Sequence, residues 1–402
     1  MVAGEPAGVG TRVAQARKLI GWTQARLAME ANQSPSLVRA VEQGRRAASP
    51  AFVAACAKAL RVGVTELLGQ PFPQTTSVDR EVHAAIALIR NELAAYDLDA
   101  PDLKVRSIAE VTGRVLEIRR FRRDASAPKL AATVPPLLTE TRALVHRATG
   151  RERELASSLL CEMYYNARSL AHKLGYLDLA ALAVDRMAWA ADESGDPLWI
   201  AAGQFHRATL LSSGGDWKSA LAFLERCRTE LEVRLGVGAE HDLIAWGGLH
   251  LQSGLAAARS GDRDSADTHL AAAAETAARV GHDRDPVLVF GPTNVGIWSV
   301  ALAVEMMNGT EALSRADSFV IPPGTPRSRS GHHHIDLARA WLLHGNRARV
   351  LDSLQTAKAI APSLTRYHPM VHETVRVLAR EDARSSESVR GFAAWCGVKG
   401  TI

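Results

Sequence analysis

Apolar positions recur with helical spacing from the start of the chain to its end. Val13, Ala16, Leu19 and Ile20 give an apolar side to a first helix over about Thr11 to Ile20, which Gly21 stops. Thr23 is a good N-cap for a second helix carrying Ala25, Leu27, Ala28 and Ala31, and Asn32 and Gln33 form the turn after it. Ser34 caps a third helix with Pro35 in its first turn, where the missing N–H costs nothing. There Val38 and Val41 are expected to face the core, leaving Arg39 outside the apolar stripe; Gly44 ends the helix. A fourth helix opens at Ser49–Pro50, and a short fifth covers Val64 to Leu68.

Beyond a Pro-rich, small-polar stretch, Gly69 to Ser77, the pattern continues as long helices. One runs from Val78 to Tyr96, with Val82, Ile86, Ile89 and Leu93 on one side. Pro101 is expected to open the next, which ends in the basic run Arg119-Arg-Phe-Arg-Arg123, a favourable charge for a helix C-terminus. Pro128 opens a third, which Pro135-Pro136 should kink or break. From about residue 155 small residues recur in threes, the second twelve positions after the first and the third seven further on. The sets are Ala171, Ala183 and Ala190; Ala208, Ala220 and Cys227; Gly254, Ala266 and Ala273; and Ala338, Val350 and Ala357, with a weaker set at Val300, Ala312 and Phe319. Turn residues fall between the first two members of each set, as two antiparallel helices in close approach require.

Composition narrows this to an all-α protein: 47% of residues are hydrophobic but only 5% aromatic, so Ala and Leu carry the core. No apolar run is long enough for a membrane span, and the first ten residues do not read as a secretory leader. Four scattered cysteines lack metal-ligand spacing and read as buried thiols of a cytoplasmic protein. The net charge of +5 is local: residues 1–70 hold nine Lys or Arg and four Glu, while the remainder is neutral. That is where a polyanion contact would need it.

The segment Trp22-Thr-Gln-Ala-Arg-Leu-Ala28 followed by Ser34-Pro-Ser-Leu-Val-Arg-Ala-Val-Glu-Gln-Gly-Arg-Arg46 resembles the helix-turn-helix of the phage repressor type, the Cro/C1 or XRE family. Gln33 departs from it, standing where the family has an apolar turn residue. The resemblance implies that the third helix enters the major groove of double-stranded DNA. Gln24 would then lie near a phosphate, Ser36 and Arg39 would face base edges, and Gln33 and Gln43 would sit at the rim. Chemistry agrees for Arg39, whose guanidinium can bond two guanine acceptors at once. Arg12, Arg17, Arg45 and Arg46 are read as phosphate partners that position the domain. Glu42 is not expected to meet DNA but to make a local bond or ion pair with a neighbour such as an Arg. One helix-turn-helix covers little DNA, so a homodimer on paired half-sites is expected.

The small-residue register, clearest at Leu337-Ala338, Gly345 and Pro362, resembles tetratricopeptide repeats, whose first helices line the inner groove of a superhelix. Carried over, that register points Tyr165, Arg168, His172, Phe205, Asn294 and Arg339 into the groove, a mixture suited to a peptide or small polar effector. The expected organisation is a helix-turn-helix domain at 1–70, a linker at 71–77, a connecting or dimerising helical region at 78–150 and a tetratricopeptide-like α-solenoid at 151–402. The combination resembles peptide-responsive bacterial regulators and, more closely, long regulators of actinobacteria. The body is read either as a sensor or as a protein scaffold. No phosphate loop, His-Glu-x-x-His or serine elbow is present, so neither an enzyme nor a cofactor is expected, and His332-His-His334 diverge too much along a helix to share a metal.

Overall fold

The computed structural model describes residues 7–235, 239–283, 287–381 and 387–398. Its described residues are helices joined by short turns, with no strand among them. Five short helices come first: α1 (Val9–Leu19), α2 (Gln24–Glu30), α3 (Pro35–Glu42), α4 (Pro50–Leu60) and α5 (Val64–Leu68). Their starts follow from side-chain caps: Thr23, Ser34 and Ser49 hydroxyls accept from the backbone N–H groups of Arg26, Leu37 and Phe52 at 3.1, 3.2 and 3.1 Å. Val13, Leu27, Val38, Val41, Phe52 and Val53 fill the core between them. Gly10 lets α1 lie directly on α3, since a Cβ there would stand 2.0 Å from the Val41 carbonyl oxygen.

Three longer helices follow: α6 (Ser77–Ala94), α7 (Ile108–Arg123) and α8 (Ala127–Arg147). Two departures from the pattern have physical causes. The helix expected from Pro101 begins at Ile108, because Ser107 and Glu110 form a reciprocal capping box, each side chain bonding the other's backbone N–H. The stretch before it is held as a loop by Arg147, which donates to the carbonyls of Ala100 and Leu103. Pro135 and Pro136 lie inside α8 without ending it. An interior proline costs about 3 kcal/mol. Leu130, Val134, Leu137, Leu138 and Val145 are buried in the core that α8 shares with α6, α7 and α9, each contributing about 1.5–3 kcal/mol, which outweighs that loss.

Five helical hairpins then stack: α9 (Gly150–Leu174) with α10 (Leu177–Ser194), α11 (Pro197–Ser213) with α12 (Trp217–Glu232), α13 (Glu240–Ser260) with α14 (Arg263–Val280), α15 (Pro292–Glu305) with α16 (Gly309–Asp317), and α17 (Arg327–His344) with α18 (Arg347–Ile360). Every member of the four strong small-residue sets is buried, and at Gly254 a Cβ would press within 3.3 Å of the Ala266 carbonyl oxygen. Three helices close the chain: α19 (Pro362–Tyr367), α20 (Pro369–Glu381) and α21 (Glu387–Cys396). None of the described helices is long and apolar enough to cross a membrane.

The five N-terminal helices are docked on this body. Met370 of α20 is buried in their core, Val9 N–H donates to Glu373 at 3.3 Å, and Arg380 donates to the Gln43 carbonyl at 2.6 Å. The turn at Gly215 lies so close to α4 that a Cβ would sit 3.1 Å from the Ala54 carbonyl oxygen. Between α5 and α6, Phe72 stacks on His372 with ring centroids 3.9 Å apart.

Candidate nucleic-acid interface and cavity

Helix α3 turns Val38 and Val41 into the core and leaves Ser36, Arg39 and Gln43 exposed on its outer side. Arg45 and Arg46 follow in the adjoining loop, also exposed, and Arg45 bonds the Gln43 side chain. The inward side of α3 ends on a buried ion pair. Arg17 of α1 places Nε and Nη2 on the two Glu42 oxygens at 2.7 Å each, and Nη1 on the Trp22 carbonyl at 2.6 Å. Gln24 adds a third bond to Glu42 at 2.8 Å. Burial alone would raise the Glu42 pKa; the bonds from Arg17 and Gln24 reverse this and hold it below the ordinary value.

The N-terminal helices also border a cavity of about 440 Å³. Its walls come from α7, α9, α11, α13, α15, α17 and α19, and from Pro50, Val53, Val64 and Leu68 on α4 and α5. Tyr165, Arg168 and His172 enter from α9, Phe205 from α11 and Asn294 from α15. Tyr165 stacks on His206 at 5.1 Å, and the Arg122 guanidinium lies over its ring at 4.6 Å. Burial pushes His172 and His368 down to about 3, so both are neutral at physiological pH. Burial, then the charges of Arg122 and Arg168, push Lys173 down to about 8.

Residues 13–67 match the family model described as Helix-turn-helix. The N-terminal unit is a helix-turn-helix domain. A domain of this kind supports reading the protein as a DNA-binding regulator. No curated protein matches the chain. Among solved structures it is similar to the crystal structure of BtubC (BKLC) from P. vanneervenii, at 17% identity over 59% of this chain and 92% of that one, with a TM-score of 0.36.

Within the helix-turn-helix domain, four residues expected at DNA are engaged elsewhere. Arg17 was expected at a phosphate, but it is 7% exposed and is the counter-charge that the buried Glu42 needs. Arg12, expected likewise, lies against Gly69 between the domain and α20. There burial and Arg376 lower its pKa, and Glu373 partly offsets them. Gln24 is half-buried with its amide committed to Glu42, and Gln33 is half-buried with its amide on the Ala31 carbonyl at 3.3 Å.

In the body one groove residue departs. Arg339 is absent from the cavity wall: it binds Glu305 at 3.0 Å and Asp336 at 2.9 Å. Glu305 is buried and also takes Arg259 at 3.1 Å, so its charge draws both guanidiniums to it. Pattern reading missed Arg122, Arg123, Lys173, Arg259 and Arg329 on the cavity wall. Its one available signal was the basic run at 119–123, read as a helix end. It also missed the lid that the helix-turn-helix domain provides.

Proposed function

We propose that this DNA-binding regulator reads operator DNA through α3 and senses an effector in the cavity beneath its helix-turn-helix domain. The observation that carries the sensing half is the shared wall. Val53, Val64 and Leu68 belong to the DNA-binding domain and face the same 440 Å³ space as Tyr165, Arg168 and His172 of the body. An occupant therefore touches both parts, and any difference in its affinity for the docked and undocked states shifts the position of the reading helix. The volume falls within the usual range for small-molecule sites. A space of this size suits a compact effector better than an extended peptide. The stacked hairpins support a tetratricopeptide-like reading of residues 151–402, with 78–150 connecting it to the DNA-binding domain. The protein acts as a homodimer, whose paired α3 helices meet successive major-groove faces.

Arg39 reads sequence and Arg45 positions the domain. Arg39→Ala weakens binding to the preferred duplex by about 1–3 kcal/mol and barely changes binding to scrambled DNA. Arg45→Ala weakens both about equally and flattens the salt dependence. Fluorescence anisotropy against a selected duplex and its scrambled version measures both. Equal losses on the two duplexes for Arg39→Ala would remove its reading role. Light scattering of the duplex complex tests the dimer, for which two chains per duplex are expected.

A further inference from the structure

The cavity wall is charged in one sense only. Six cationic side chains line it, Arg122, Arg123, Arg168, Lys173, Arg259 and Arg329, and among the described residues none of the lining is Asp or Glu. Some of these cations are answered from behind the wall. Glu162 lies between Arg119 and Arg122, Glu305 takes Arg259, and Arg329 bonds Asn294 at 2.8 Å and lies over the Trp298 ring. Arg168 and Lys173 make no ion pair among the described residues, and Arg168 Nε is buried with no hydrogen-bond partner in the protein. Both ring nitrogens of His206, a residue 5% exposed on the same wall, are likewise without a partner. The remaining wall mixes uncharged polar groups such as Gln252 and Asn294 with apolar side chains, among them Leu68, Phe205, Leu255 and Trp298.

We propose that the cavity takes an amphiphilic anion, a compact molecule with one acidic group and an apolar body, and that Arg168 and Lys173 receive the acidic group. The assignment rests on the reading of the cavity as the effector site. A partly buried cation without a counter-charge destabilises the fold, and a charge-assisted bond from a carboxylate, sulfonate or phosphate offsets that cost. A neutral occupant leaves it in place, and a cationic one adds to it. The depressed Lys173 pKa is the same penalty seen from the protein's side. The histidines around it, His172, His206, His332 and His368, are all pushed down and add no competing charge at neutral pH.

Two fluorescent probes test this, anilinonaphthalene sulfonate and the uncharged phenylnaphthylamine, which share a ring system and differ by the acidic group. Each is titrated into the full-length protein, into Lys173→Met and into Arg168→Gln. The sulfonate is expected to saturate one site per chain at least about tenfold more tightly than the neutral probe. Each substitution should remove most of that ratio while the neutral probe still binds, which also reports that the variant is folded. Equal affinities for the two probes, or a ratio untouched in both variants, would overturn the anion assignment and leave the cavity as an effector site. Binding of neither probe would overturn both readings.

Discussion

Replacing Glu42 with alanine is expected to abolish specific DNA binding, although Glu42 faces away from the DNA-reading side. Its carboxylate is the meeting point of three helices: Arg17 reaches it from α1, Gln24 from α2, and Glu42 itself ends α3. The side chains of Arg17 and Glu42 are 9% and 5% exposed, so the substitution strands a guanidinium in the core of the domain. Removing one partner of a buried pair costs about 3–5 kcal/mol. A domain of some sixty residues holds roughly 3–9 kcal/mol in total. The loss is thus most of what keeps α3 in place. Amide exchange should show α1 to α3 unprotected while the helices of the body stay protected, and the preferred duplex should bind at least about tenfold more weakly. Glu42→Gln keeps the shape but not the charge and should fall between the two. A Glu42→Ala protein with full α3 protection and full affinity would show that the ion pair is dispensable.

This pair marks the boundary of what local pattern reveals. The N-terminal helices were legible because α2, α3 and α4 each start with a capping hydroxyl just before an apolar stripe, and the hairpins because small residues keep a fixed register. A periodic stripe also assigns faces. That is why five of the six residues placed towards the groove meet at one cavity: Tyr165, Arg168, His172, Phe205 and Asn294. A stripe does not say which charge answers which. Arg17 and Glu42 are 25 residues apart, Arg339 and Glu305 are 34 apart, and both arginines looked like exposed polar positions. The capping box at Ser107 and Glu110 was present in the sequence but was overridden by the more conspicuous Pro101. The docking of Met370 into the helix-turn-helix core joins segments some 300 residues apart, and nothing in a local pattern encodes it.

Asp79 is the corresponding point in the body, and Asp79→Ala should lower the melting temperature of the body by on the order of 5–10 °C. The residue is 3% exposed near the start of α6 and accepts both from the residues just before it and from α19. Thr75 and Thr76 donate backbone N–H groups at 3.0 and 2.9 Å, Arg366 donates Nε and Nη2 at 3.1 and 2.9 Å, and Tyr367 donates its hydroxyl at 2.7 Å. Alanine removes the acceptor of all of these bonds, though Arg366 keeps the Trp395 carbonyl and Thr75 hydroxyl, a loss of about 3–5 kcal/mol. Burial alone would push this carboxyl up. The bonds from Arg366, Tyr367, Thr76 and Thr75 prevail and hold it well below the usual carboxylate range. The sign follows: a depressed native pKa stabilises the fold in full above the ordinary carboxylate pKa, and that contribution is lost progressively as pH falls below about 5. The wild-type melting temperature should therefore drop more steeply on acidification than that of Asp79→Asn, which has no such carboxylate to protonate. Because Tyr367 and His368 line the cavity and Met370 anchors the helix-turn-helix domain, freeing α19 should also loosen the docking of that domain. The domain's own core contains neither Asp79 nor its partners, so α1 to α5 should stay protected in Asp79→Ala, the reverse of the Glu42→Ala pattern. If both substitutions unprotected the same helices, the two folding units would be one.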